Sequence, residues 1–182
     1  MTKIITFDEM KNYVNKNFND SSLLIENSLS IESYKPYTFI SYSSKDTDKL
    51  PYVLRILKNH GATPYIDKGD DRLPSPPSVE TAEILKDTIK KSKRMVVFVT
   101  TNSKDSNWIP WELGLGDGSK TNNHIAIFPS AEKSYDTKWL EQEYLGLYKR
   151  IVYGKLENYD KEVWMVYDYQ SNTAIELSKW LN

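Results

Sequence analysis

The 182-residue sequence contains no cysteine. That excludes disulfides, thiolate metal sites and a cysteine nucleophile, and it fits a reducing compartment, so the cytoplasm is the expected location. The two histidines, His60 and His124, stand in no metal-ligand spacing, which argues against a zinc enzyme or a Ser-His-Asp hydrolase; no metal is expected. Long apolar runs are missing as well: nothing approaches the ~20 residues needed to span a bilayer. The N-terminal MTKIITFDEMKNYVNKNF also lacks the apolar segment of a secretion signal. Nor is there an excess of charge of one sign. With 24 basic against 25 acidic residues the formal net charge is −1, so no global field would hold the chain on nucleic acid or an anionic membrane, and neither is expected as a partner.

What is present suits one folded unit. The length allows a single core plus some extra, and 39% hydrophobic with 27% charged residues lies in the range of soluble globular chains. Residues 1–33 are rich in Asn and Ser and read as an extension packing on the domain, with a short helix at 7–17 whose Phe7, Met10 and Val14 fall at helical spacing. From Pro36 the pattern sharpens. YTFISY (37–42) is β-rich and is followed by a helix at 47–60 with Leu50, Val53, Leu54 and Leu57 on one face and Gly61 as its stop. ATPYID (62–67) then reads as a short strand, and VETAEILKDTIKKS (79–92) as a helix burying Val79, Ala82, Leu85 and Ile89. RMVVFVT (94–100) is uninterruptedly apolar, as befits a central strand buried on both faces. A helix containing WELGL and a strand HIAIFP (124–129) follow. This alternation predicts an α/β fold: an open, mostly parallel, flavodoxin-like sheet of about five strands with helices on both faces. Beyond residue 130 the pattern suggests a short helix in 138–148, a strand at 148–153, an extended segment at 162–169 and a terminal amphipathic helix at 173–182. The domain is expected over 34–182, with a C-terminal helical extension.

In such sheets ligands bind beyond the carboxyl ends of the strands. Three loops leave from there. Ser41-Tyr42-Ser43-Ser44-Lys45-Asp46 offers hydroxyls, helix-leading amides and one ammonium, suited to a phosphate or simply to capping the next helix. The loop from Asp67 to Ser78 carries Gly69, Pro74, Pro76 and Pro77 and reads either as a lid or contact loop or as a stiffened connection. Lys86, Lys90, Lys91, Lys93 and Arg94 read as a solvated helix end. The third exit leads into SNWIPWELGLGDG (106–118). Ser106 or Asn107 can cap a helix there and Pro110 fits its first turn, so Trp108 and Glu112 lie one turn apart on one face. A carboxylate so placed beside the other two loops has a site position, although a dipole-stabilised surface Glu and a core Trp would share that spacing. GLGDG follows a helix rather than a strand and is no dinucleotide fingerprint.

Taken together, YTFISYSSKD, PYID with its Pro-rich loop, and RMVVFVTTNSKDSNWIPWE resemble a Toll/interleukin-1 receptor (TIR) domain over about residues 35–155. WIPWE matches the WxxxE motif of that family's NAD-consuming members. The resemblance implies cleavage of the nicotinamide–ribose bond of NAD+, with Glu112 as the catalytic glutamate and no cofactor beyond NAD+ as substrate. It also implies that Trp108 walls the ribose or nicotinamide and that Ser43, Ser44 and Lys45 meet the diphosphate. Phe39, Ser41, Tyr42 and Asp67 would complete the NAD+-binding set. Other members use arginines or further basic residues in the first loop, where this sequence has only Lys45. The tail EVWMVYDYQSNTAIELSKWLN is similar to the ends of stand-alone bacterial TIR proteins of the Thoeris anti-phage type. Those make a cyclic ADP-ribose isomer or an ADP-ribose conjugate that activates an effector protein. Self-association through residues 68–78 is a further implication. The alternatives are an NAD+ glycohydrolase that depletes the cofactor, a non-catalytic adaptor working through the 68–78 loop, and a nucleoside deoxyribosyltransferase-like enzyme acting on nucleosides.

Overall fold

The structure, a computed structural model, describes residues 4–18, 36–68, 70–136 and 142–182. Its frame follows from the apolar strands. β2 (Thr38–Ser41), β3 (Pro64–Tyr65), β4 (Arg94–Val99), β5 (Ile125–Ala131) and β6 (Lys149–Lys155) run parallel in the order β3-β2-β4-β5-β6. The crossovers are α2 (Leu50–Asn59), α3 (Val79–Lys91) and α4 (Trp108–Ser119). Register keeps side-chain parity across the sheet: Phe39 lies beside Met95 and Ile40 beside Val96, while Val97 lies beside Ile127 and Phe98 beside Phe128. A one-residue slip would exchange the two faces, and burial on both sides forbids it. Ile40, Val96, Phe98 and Phe128 pack against α2 on one face. Phe39, Met95, Val97 and Ile127 meet Leu85 and Ile89 of α3 and Ile109 and Leu113 of α4 on the other.

Three further strands enlarge the sheet. β1 (Ile5–Thr6) pairs with Ser130 and Ala131 at the end of β5. α1 (Phe7–Asn17), the helix expected at 7–17, follows it with a Thr6–Glu9 capping box and buries Met10 and Val14 in the α2-side core. The remainder of the expected 1–33 extension lies outside the described residues. β7 (Glu162–Asp168) and β8 (Thr173–Glu176) continue the sheet antiparallel. Trp164 of β7 stacks on Phe128 with ring centroids 5.3 Å apart.

The terminal segment corrects the expectation of a single helix at 173–182. Thr173–Glu176 pairs with β7, satisfying that strand's free edge, and only Leu177–Leu181 forms a helix, α5. α5 is tied to the amino ends of β4 and β5: Arg94 Nε donates to the Trp180 carbonyl at 2.6 Å and Trp180 Nε1 to the Asn123 carbonyl at 2.8 Å. Within 138–148, a 3-10 turn spans Glu143–Leu147, while 137–141 fall outside the described residues. In α3 the buried stripe is Thr81, Leu85, Thr88 and Ile89; Val79, the first residue of the helix, is 79% exposed and lies off that stripe.

α4 lies unusually close to the sheet. A Cβ on Gly116 would stand 2.5 Å from Met95 Sδ, whereas at Gly114 and Gly118 nothing lies within 4 Å. Gly116→Val is therefore expected to lower Tm, an overpacking cost of about 1–3 kcal/mol. Gly114→Ala and Gly118→Ala are expected to raise it slightly, each by about 0.5–1 kcal/mol of removed chain entropy. Thermal unfolding monitored by circular dichroism separates the two signs.

Candidate active site

The strand order reverses at β2 and β4. From β2 the chain crosses by α2 to β3, and from β4 it crosses by α4 to β5 on the other side, so a crevice opens where their carboxyl ends part. The loop after β2 and the loop after β4 form its walls. They are joined by Asp46, a fully buried carboxylate that accepts hydrogen bonds from Thr100 Oγ1 and Asn102 Nδ2, both at 2.7 Å. Further out, Lys45 Nζ pairs with Asp105 at 2.8 Å.

Glu112 reaches the crevice from α4. Ser106 Oγ accepts from the Ile109 amide at 3.3 Å and starts the helix, Pro110 occupies its first turn, and Glu112 follows one turn after Trp108. The carboxyl group is 5% exposed, and its Oε2 accepts a hydrogen bond from Ser41 Oγ at 2.5 Å. Burial pushes its pKa up to about 8, the Ser41 hydrogen bond opposes that rise, and the charge of Asp67 adds to it. Burial also raises Tyr42, with Asp67 beside it as charge and hydrogen-bond acceptor and Glu112 as a weaker influence. Trp108 is 41% exposed and meets Trp111 edge-on, ring centroids 5.3 Å apart.

These groups border a cleft of about 210 Å³. Of the residues singled out from sequence, Tyr42, Ser44, Asp67, Trp108 and Glu112 line it, and Ser41 touches it through Glu112. Phe39 does not: it is buried in the α3–α4 side of the core, stacked on Tyr65 at 5.5 Å, because its neighbour Ile40 takes the position facing the cleft. Ser43 is buried and caps the 3-10 turn Ser44–Asp46, its Oγ accepting from the Lys45 amide at 3.4 Å. Lys45 stands outside the cleft, held by Asp105. Pro74 and Pro77, from the loop read in the sequence as a lid, contact loop or stiffened connection, line the cleft, as does Ser106, read there as a helix cap; Leu73 beside them was not singled out. It also passed over the bridging role of Asp46; the only cue was an acid placed where a helix cap is common.

Typical small-molecule sites occupy about 300–1,000 Å³, so this cleft is small for a site that encloses a whole ligand. A larger groove of about 570 Å³ lies between the β6–β7 turn, β8 and α5. It is remote from the switch point, and of its two acids, Glu157 is exposed and Glu176 is already paired with Lys179 at 2.5 Å. Of the two, the smaller cleft holds a buried carboxyl group with a raised pKa, the mark of a candidate site. Among the described residues, no group of three or more His, Cys, Asp or Glu could hold a metal ion, and no helix is long and apolar enough to cross a membrane.

Comparison with known proteins agrees with this geometry. Over 159 residues the chain is 32% identical to a protein of Bacillus cereus (strain MSX-D12) named as a probable 3′ cyclic ADP-D-ribose synthase, ThsB′, an alignment covering 82% of this chain and 81% of that protein. Residues 38–168 match the TIR domain family. That match begins at the first residue of β2 and ends with the last of β7, enclosing the whole cleft, and the chain belongs to the TIR domain family.

Proposed function

We propose that this TIR domain cleaves the nicotinamide–ribose bond of NAD+ and closes the ADP-ribose into a cyclic isomer that serves as a signal in anti-phage defence. The observation that carries the reading is the position of Glu112: buried at the switch point, bonded to Ser41 and one turn from Trp108. The relative's name, a cyclic ADP-ribose synthase, supports the product class.

The chemistry suits an acid in this setting. The bond from C1′ to the ring nitrogen breaks, nicotinamide leaves as a neutral molecule with the electron pair, and the ribose becomes oxocarbenium-like. A carboxylate beside it stabilises the developing positive charge in a water-poor site, where such stabilisation is strong. A hydroxyl group of the same molecule then attacks C1′ and gives up its proton. Trp108 offers an indole wall to the departing ring, and Tyr42 and Ser44 border the ribose side. The diphosphate is expected outside the cleft, near the Ser43–Lys45 amides. Association of copies through residues 68–78, an effector protein that reads the product and a cytoplasmic location belong to the same reading.

The test is to incubate the purified protein and Glu112→Gln with NAD+, following nicotinamide release and product mass. Wild type is expected to release nicotinamide and yield a product one water lighter than ADP-ribose, and Glu112→Gln to be slower by at least about 100-fold. A product of ADP-ribose mass would replace cyclisation with hydrolysis. Turnover by neither protein would sink the enzymatic reading, and full turnover by the variant would sink the role of Glu112.

If the ionised form is the active one, kcat/KM for NAD+ should rise about tenfold per pH unit until the free-enzyme pKa of Glu112, about 8, and then level off. A profile flat from pH 6 to 9 would contradict this. Stability carries the opposite sign. The folded-state pKa, about 8, lies above the ordinary value of 4.5, so stability is full below the lower value and falls as pH rises towards the upper one. Glu112→Gln, which cannot ionise, is therefore expected to melt several degrees above wild type at about pH 8.5 and close to it at about pH 4.5.

A further inference from the structure

The two carboxyl side chains of the cleft, Asp67 and Glu112, are its acids, and no Lys, Arg or His lines it among the described residues. The bases next to lining residues stay off the cleft: Lys45 is engaged by Asp105 at 2.8 Å, Arg72 by Asp70 at 2.5 Å, and Lys68 and Lys86 are exposed and do not line it. Glu112 has its Oε2 committed to Ser41. Asp67 follows β3, is only half-buried, accepts a hydrogen bond from Tyr42, and sits close enough for its charge to act on both Glu112 and Tyr42. A small cleft lined by two acids and no base is relieved by a cationic guest, and a neutral guest of similar shape brings no such relief.

The dinucleotide of the reading above carries its positive charge on the nicotinamide ring when oxidised, and that ring is neutral when reduced. We infer that Asp67 is a specificity-determining residue that selects the oxidised, cationic ring over the reduced, neutral one. The inference rests on the proposed function and extends it from the bond cleaved to the redox form admitted. Reduced dinucleotide, present in the same compartment, would then be kept from occupying the cleft as an inhibitor. Trp108 adds a second attraction of the same sign, because an indole face favours a cationic ring. Trp108 is common to all variants, however, so a change confined to Asp67 isolates the carboxylate.

A purely structural role for Asp67, such as holding Tyr42, would weaken both ligands alike. The decisive readout is therefore a ratio. Calorimetric titrations of the purified full chain would use carba-NAD+, which has the cationic ring but no cleavable glycosidic bond, and NADH. Wild type is expected to bind carba-NAD+ at least about tenfold more tightly than NADH, a modest demand for a charge pair near a protein surface. Asp67→Asn should bring the two within about threefold of each other, and Asp67→Glu should keep the preference. Asp67→Ser is carried alongside, with circular dichroism on every variant, so that a misfolded Asn variant does not decide the matter. Equal binding of the two ligands by wild type, or an unchanged preference in the folded Asn or Ser variant, would overturn the inference. NAD+ turnover on the same preparations keeps the two proposals apart: turnover without ring preference removes only this inference, whereas a chain that binds neither ligand and turns nothing over removes both.

Discussion

The hydrogen bond between Ser41 and Glu112 joins the end of β2 to α4 across the point where the strand order reverses, and the rest of the site is arranged around it. Gly116, one turn after Glu112 on the same helix, packs against the Met95 side chain of β4, leaving no room there for a larger residue unless Met95 moves. Burial beside β2 raises the pKa of Glu112, while the Ser41 hydrogen bond that holds it there opposes the rise.

Around that contact the charges are sorted by depth. Asp46 is buried but fully answered by Thr100, Asn102 and Lys49, the last at 3.9 Å, so it serves to fix the two loops relative to one another. Lys45 and Asp105 neutralise each other at the rim. What remains facing the cleft is acidic. A site that receives a cationic ring and releases a neutral one needs this bias before the reaction and loses its benefit afterwards, so the same charges that favour substrate entry favour product departure.

Much of this could be read from the residues. The apolar run Met95–Val99 announced a central strand, and the capped, Pro-containing start of α4 put Trp108 and Glu112 on one face. Where the reading failed, local pattern competed with tertiary pairing. Thr173–Glu176 has helix-compatible composition, yet the open edge of β7 recruits it as a strand. The two-residue β1 carries too short a pattern to be seen and exists because β5 extends far enough to pair with it. Phe39 and Ile40 alternate by strand geometry, and no single-sequence cue says which of two apolar neighbours faces the cleft. The importance of Asp46 depends on partners more than fifty positions away and is invisible locally.

The modest volume of the cleft also bears on what can follow bond cleavage. An enclosure for a whole dinucleotide would hold the adenosine half in an extended pose, far from the newly exposed carbon, and would leave water as the nearest acceptor. A pocket that grips only the nicotinamide riboside end leaves the distal half tethered but swivelling, at an effective concentration no free solute could match. On the proposed function, confinement of one end and liberty of the other would favour ring closure over hydrolysis.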